Sequence, residues 1–156
     1  MREHTGLLDQ REIEMGCVEQ GGARLVLESE RMSIAPKYVG LHPWLMVVES
    51  TIFAQLASMC AAYSGGYWEM VETGNDAYFL WPRMDTKERG GLLELSAENG
   101  TTCLVTPEAA GMVASLYGFN KMCWSTRLEK HVTLFQNLMD FARTHPEWVS
   151  IKALID

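Results

Sequence analysis

Ser64-Gly65-Gly66-Tyr67-Trp68-Glu69-Met70-Val71-Glu72-Thr73-Gly74-Asn75-Asp76-Ala77-Tyr78-Phe79-Leu80-Trp81 is the stretch that decides the fold. Two aromatic-rich runs, 67–72 and 76–81, flank Gly74-Asn75, a pair suited to the tight turn of a β-hairpin. Downstream, 92–98 and 101–105 form a second such pair across Asn99-Gly100. There Leu93, Leu95 and Ala97 alternate with Glu94, Ser96 and Glu98, so one face is buried and the other wet. With the polar loop 83–90 between them, the two pairs predict an antiparallel β-meander.

Helices are expected on both sides of it. Residues 23–30 are rich in Leu and Val and read as a strand, whereas Pro36 and Gly40 make 31–41 irregular or briefly helical. Pro43 suits the first position of a helix running to about Tyr63, with Leu45, Val48, Ile52, Leu56, Met59 and Tyr63 as its buried stripe. Met46, Phe53 and Ala57 widen that stripe, and Ser64-Gly65-Gly66 ends the helix. Thr106-Pro107-Glu108 carries a hydroxyl cap, a proline at the first position and an acid at the positive end of the dipole. That helix is predicted to stop at Gly118. A longer one follows over 125–144, opened by a capping box of Thr126 and Glu129 and buried through Val132, Phe135, Leu138, Met139 and Ala142. Pro146 begins a last short helix. The fold class is α+β, a single domain with an antiparallel β-meander packed against several α-helices.

The 156 residues are the size of one domain, and 47% hydrophobic with 21% charged residues is a globular composition. The formal charge of −7 favours solubility and disfavours stable DNA binding or attachment to anionic membranes. It does not make a DNA mimic. Duplex DNA carries about one charge per 1.7 Å of axis, whereas acids here alternate with bases, as in Arg2-Glu3, Arg11-Glu12 and Lys87-Glu88-Arg89. The uncharged run 50–68 is interrupted by Ser, Thr, Gln and Gly, so it reads as a core helix, not a membrane span. The opening residues 1–15 are charged and lack the apolar centre of a signal peptide. A cytoplasmic protein is the expectation.

No catalytic, cofactor or metal motif emerges. Cys17, Cys60, Cys103 and Cys123 are widely spaced, and His4, His42, His131 and His145 lack the close spacing of zinc ligands. Ser64-Gly65-Gly66 precedes a strand, so it is neither a nucleophile elbow nor a phosphate cradle at a helix start. Glu69 with Glu72, and Glu94 with Glu98, are carboxylate pairs that a solvated sheet face explains more simply than acid–base chemistry. The chain is therefore read as a non-enzyme without cofactor. The helices at 106–117 and 125–144 invite a helix-turn-helix reading, that of a nucleic-acid-binding regulator. Against it, the connection 118–124 is long, and Arg127, Lys130, His131 and Arg143 mix with Glu129 and Asp140. The aromatics Tyr67, Trp68, Tyr78, Phe79 and Trp81 form either core or a contact platform.

An ordered series of fragments resembles the ArdB/KlcA family of antirestriction proteins. It comprises Ser64-Gly65-Gly66-Tyr67-Trp68, Leu80-Trp81-Pro82, Thr106-Pro107-Glu108-Ala109-Ala110-Gly111, Ser115-Leu116-Tyr117-Gly118-Phe119-Asn120, His145-Pro146-Glu147 and Ile155-Asp156. The likeness covers 31–156, leaving 1–30 as a variable N-terminal segment. It implies a mixed α/β fold and relief of type I DNA restriction, protecting incoming or mobile-element DNA. The implied partner is a type I restriction-modification system, met directly or through a host factor by a monomer or weak homo-oligomer. Tyr67, Trp68, Trp81 and Asp156 are the candidate contact residues.

Overall fold

A computed structural model describes residues 22–156; the weakly patterned stretch up to Gly21, with His4 and Cys17, lies outside the described residues. The strands are β1 (Arg24–Leu25), β2 (Trp68–Glu72), β3 (Tyr78–Pro82), β4 (Leu93–Ser96) and β5 (Thr102–Val105). The α-helices are α1 (Arg31–Val39), α2 (Val48–Met59), α3 (Pro107–Thr126), α4 (Glu129–Ala142) and α5 (Trp148–Ile155). All strand pairing is antiparallel, and the α+β class is as expected.

The two hairpins do not share one sheet. β1, β2 and β3 form a three-stranded sheet in that order, and β4 and β5 form a separate two-stranded one. A helix takes the place the meander would have needed. Ser115 Oγ accepts from the Leu80 N–H at 3.1 Å and donates to its carbonyl at 3.3 Å, satisfying the outer edge of β3. α3 comes this close because Gly111 has no side chain: a Cβ there would lie 2.2 Å from the Trp81 Cα. Gly118 serves α2 in the same way, since a Cβ would lie 2.7 Å from Ile52 Cγ1. It does not end the helix, as its sequence position suggested. α3 runs on to Thr126 and closes with Arg127 in the left-handed conformation, φ 55°.

Both expected turns form. Thr73 N–H donates to the Ala77 carbonyl across Gly74-Asn75-Asp76, and the Asn75 side chain donates to the Asn137 carbonyl of α4. At Asn99-Gly100 the Asn99 side chain accepts from Thr101 N–H. Thr106 caps α3 by accepting from Ala109 N–H. The Thr126–Glu129 capping box does not form, because Thr126 still belongs to α3 and Leu128 stands at the N-cap of α4 without a side-chain cap. Thr126 instead meets His131, which is fully buried: Thr126 Oγ1 lies 2.7 Å from Nδ1, and Nε2 lies 2.8 Å from the Val39 carbonyl. Since a carbonyl can only accept, Nε2 carries the proton and Nδ1 accepts from the hydroxyl.

The predicted helix from Pro43 is broken in two. Pro43–Met46 is a 3-10 turn capped by His42, and Val47 separates it from α2. Val48, Ile52, Leu56 and Met59 are buried as read, but Met46 is 83% exposed and Ala57 also faces out. Proline at 36 does not prevent α1, which ends at Gly40 with φ 81°. β1 lies inside the expected variable segment 1–30, yet it pairs with Glu72 and Val71 and so belongs to the sheet. β2 and β3 are buried at every position, with Trp81, Tyr78 and Phe79 among the largest fully enclosed side chains.

Candidate functional site

The four residues singled out as contacts do not lie on one surface. Trp81 is 2% exposed and Trp68 6%, so both belong to the core. Trp68 packs on Phe53 at 4.6 Å between ring centres and donates its indole N–H to the Tyr63 hydroxyl. Tyr67, outside the sheet ladder, is 45% exposed. Asp156 is exposed and ion-paired to Lys152 at 2.6 Å, near a small pocket formed with Tyr117 and Asn120. Tyr67, just before β2, is therefore half exposed, whereas Trp68, the first residue of β2, is buried.

Tyr67 borders an open groove of about 630 Å³. The groove lies where β1 stops short: its last bond to β2 runs from Val26 N–H to the Met70 carbonyl, leaving the Trp68 end without a neighbouring strand among the described residues. Trp68, Met70 and Leu80 form the floor, Met70 and Leu80 being directly opposed across β2 and β3. α1 contributes Arg31 and Met32, the segment entering α2 contributes Met46, and the first turn of α2 contributes Glu49. Met32 is 90% exposed, so it and Met46 form two flexible apolar lips.

Arg31 organises this end of the sheet. One guanidinium nitrogen donates to the Trp68 carbonyl at 2.6 Å and another to Glu69 at 3.1 Å, while the group lies 4.9 Å from the centre of the Tyr67 ring. Glu69 is 1% exposed and also receives Arg83 Nε at 2.7 Å. A buried carboxylate requires such partners, since removing one leaves a charge stranded in a poorly polar site. Glu72 has an equivalent set in Arg24, Lys37 and the Tyr38 hydroxyl. Glu69 and Glu72 are thus structural ion-pair centres, not the solvated carboxylates the strand pattern suggested.

A second buried cluster holds the C-terminal helix. Glu147 accepts from Thr106 N–H at 2.9 Å and from its hydroxyl, and Glu147 N–H donates to His145 Nδ1 at 3.0 Å. The other ring nitrogen of His145 therefore carries the proton toward Glu108, 3.0 Å away. His145-Pro146-Glu147 and Thr106-Pro107-Glu108, remote in sequence, make one joint. Among the described residues no group of three or more His, Cys, Asp or Glu is placed to hold a metal ion. No described helix is long and apolar enough to cross a membrane. At the C-cap of α4 the basic Arg143 is paired with Asp140 of the helix at 2.6 Å.

Residues 61–156, which include this joint, β2 to β5 and three helices, match the antirestriction protein family. The chain belongs to that family. It is 31% identical over 140 residues to an antirestriction protein KlcA of Escherichia coli, covering 86% of this chain and 94% of the relative. It is also 29% identical over 131 residues to the uncharacterized protein YafX of E. coli K12, covering 84% and 85% of the two chains. A solved structure superposes with a TM-score of 0.70 at 28% identity over 86% of this chain and 94% of the other. It comes from work on KlcA and ArdB, which show a novel fold and antirestriction activity against type I DNA restriction systems in vivo but not in vitro.

Sequence reasoning reached Tyr67 but missed Arg31, Met32, Met46 and Glu49. The spacing of Met46 fits the buried stripe of a continuous helix, and the break at Val47 turns it outward.

Proposed function

We propose that this protein relieves type I restriction of incoming or mobile-element DNA, in the cytoplasm, through protein contacts and without imitating DNA or catalysing a reaction. The family match over 61–156 carries the antirestriction part of the reading. The contact part is supported by the placement of the acids. Glu69, Glu72 and Glu108 are buried, the first two within cationic partner sets, so they add nothing to an outward row of negative charge. The groove beside Tyr67 is the contact surface we favour, with Trp68 in its floor. The partner is a component of the restriction system or a host factor acting on it.

Plating of unmodified phage on cells with a type I system, with and without the protein, tests the reading. Modified phage and a restriction-negative strain serve as controls. The expected outcome is a rise confined to unmodified phage on the restricting strain. No rise with soluble, folded protein would overturn the antirestriction reading for that system.

A further inference from the structure

The groove between α1 and the start of α2 combines an apolar floor with one uncommitted charge. Arg31 is spent on Trp68, Glu69 and the Tyr67 ring. Glu49, exposed in the first turn of α2, lines the groove and makes no hydrogen bond or ion pair among the described residues. The trough therefore presents apolar surface with a lone carboxylate, Glu49, on its α2 side, across from the Arg31 guanidinium, whose partner Glu69 is shared with Arg83.

We propose that this groove receives an amphipathic helix of a partner protein, with its apolar stripe between Met32 and Met46 and a Lys or Arg beside Glu49. The proposal rests on the protein-contact reading above and names the kind of surface the partner presents. Three observations select this occupant. Unbranched methionines at the lips re-pack around helical side chains, as at other adaptable helix-binding surfaces. The volume of about 630 Å³ falls within the range that accepts a few large apolar groups. An added β-strand, the competing geometry, is blocked by Arg31. The next outward carbonyl of β2 beyond Met70 is that of Trp68, and Arg31 already donates to it at 2.6 Å.

The test uses the whole protein and three labelled synthetic peptides, each of about 16 residues so that a helix can form. One carries Leu and Phe at i, i+3, i+4 and i+7 flanked by Lys; the second has the same stripe flanked by Glu; the third scrambles the stripe but keeps Lys. Fluorescence anisotropy should show the striped Lys peptide binding most tightly. Met46→Glu should weaken it by about tenfold or more, as loss of a central apolar anchor does. Glu49→Lys should weaken it by about two- to fivefold, the scale of an exposed ion pair, and turn the preference toward the Glu-flanked peptide. Both positions are exposed, so both variants should fold, Met46→Glu with the wild-type thermal midpoint and Glu49→Lys with a slightly lower one because it puts a cation in the first turn of α2, and Val149→Glu, 82% exposed outside the groove, serves as control. Equal affinity for striped and scrambled peptides, no binding to any, or a preference for Lys kept by Glu49→Lys would each overturn the proposal. So would self-association that protects Met46, which would make the occupant a second copy. None of these readouts involves restriction, so failure here and failure in the plating test are separate results.

Discussion

At Gly111 two effects of opposite sign meet in one methyl group. Alanine is the better helix former by about 1 kcal/mol in a helix interior, so Gly111→Ala would stabilise an isolated α3. In the folded chain the new Cβ would lie 2.2 Å from the Trp81 Cα and 2.3 Å from the Leu80 carbonyl oxygen. Those atoms are backbone and cannot swing aside, so α3 must retreat from β3. Retreat would also strain the two Ser115 bonds to Leu80, leaving buried peptide groups short of partners at about 1–3 kcal/mol. Gly111→Ala should therefore destabilise the protein by more than about 3 kcal/mol, beyond ordinary overpacking. Urea unfolding would show it as a lower midpoint, and an unchanged or higher midpoint would mean that the close approach is not real. The same reasoning explains why Gly118 misled the reading of sequence. A glycine near a helix end and one at a helix crossing look alike in one dimension, and only the neighbour, here Ile52, tells them apart.

Elements are joined by charge as well as by apolar packing, and Glu72 is the clearest joint. From β2 it receives Arg24 of β1 at 2.8 Å, and Lys37 at 2.8 Å and the Tyr38 hydroxyl of α1. Burial opposes ionisation, but the hydrogen bonds from Lys37, Tyr38 and Arg24 outweigh it, holding the carboxyl below its ordinary value of 4.5. A carboxyl whose folded value is depressed stabilises the fold above its unfolded value, and that contribution is lost as pH falls through the folded value. Stability should thus decline on acidification below pH 4.5, and Glu72→Gln should start lower at neutral pH with a shallower acid limb. Thermal midpoints recorded from neutral to acid pH would check this, and parallel curves would remove Glu72 from the acid response. The hairpins and the start of α3 were legible because turn pairs and caps are local signals. The separation of the two sheets was not, since it depends on Ser115 reaching Leu80, a contact 35 positions away. The groove was illegible for a related reason: it exists where β1 ends early and where Val47 breaks a helical pattern that looked continuous.

At the scale of the whole molecule, a formal charge of −7 admits two routes to interfering with a DNA-processing system: imitating DNA or binding a protein. They differ in what the exposed acids must do. A mimic depends on many carboxylates acting together at phosphate-like density, so neutralising several should remove most of its effect. A contact surface depends on a few residues at one place, and distant charges tune encounter more than affinity. Glu28, Glu94, Glu98 and Glu129 are exposed and outside the groove. Replacing all four by Gln changes the formal charge from −7 to −3 without touching the buried ion pairs. Exposed substitutions of this kind move stability by about 0.5 kcal/mol or less each, so the variant should fold. On the protein-contact reading it should retain antirestriction within about twofold of wild type, the change expected if charge affects only the rate of encounter. Plating efficiency of unmodified phage on a restricting strain, at matched expression, measures this directly. A fall to the level of cells lacking the protein, with folding intact, would place the activity in the distributed charge and return mimicry to consideration.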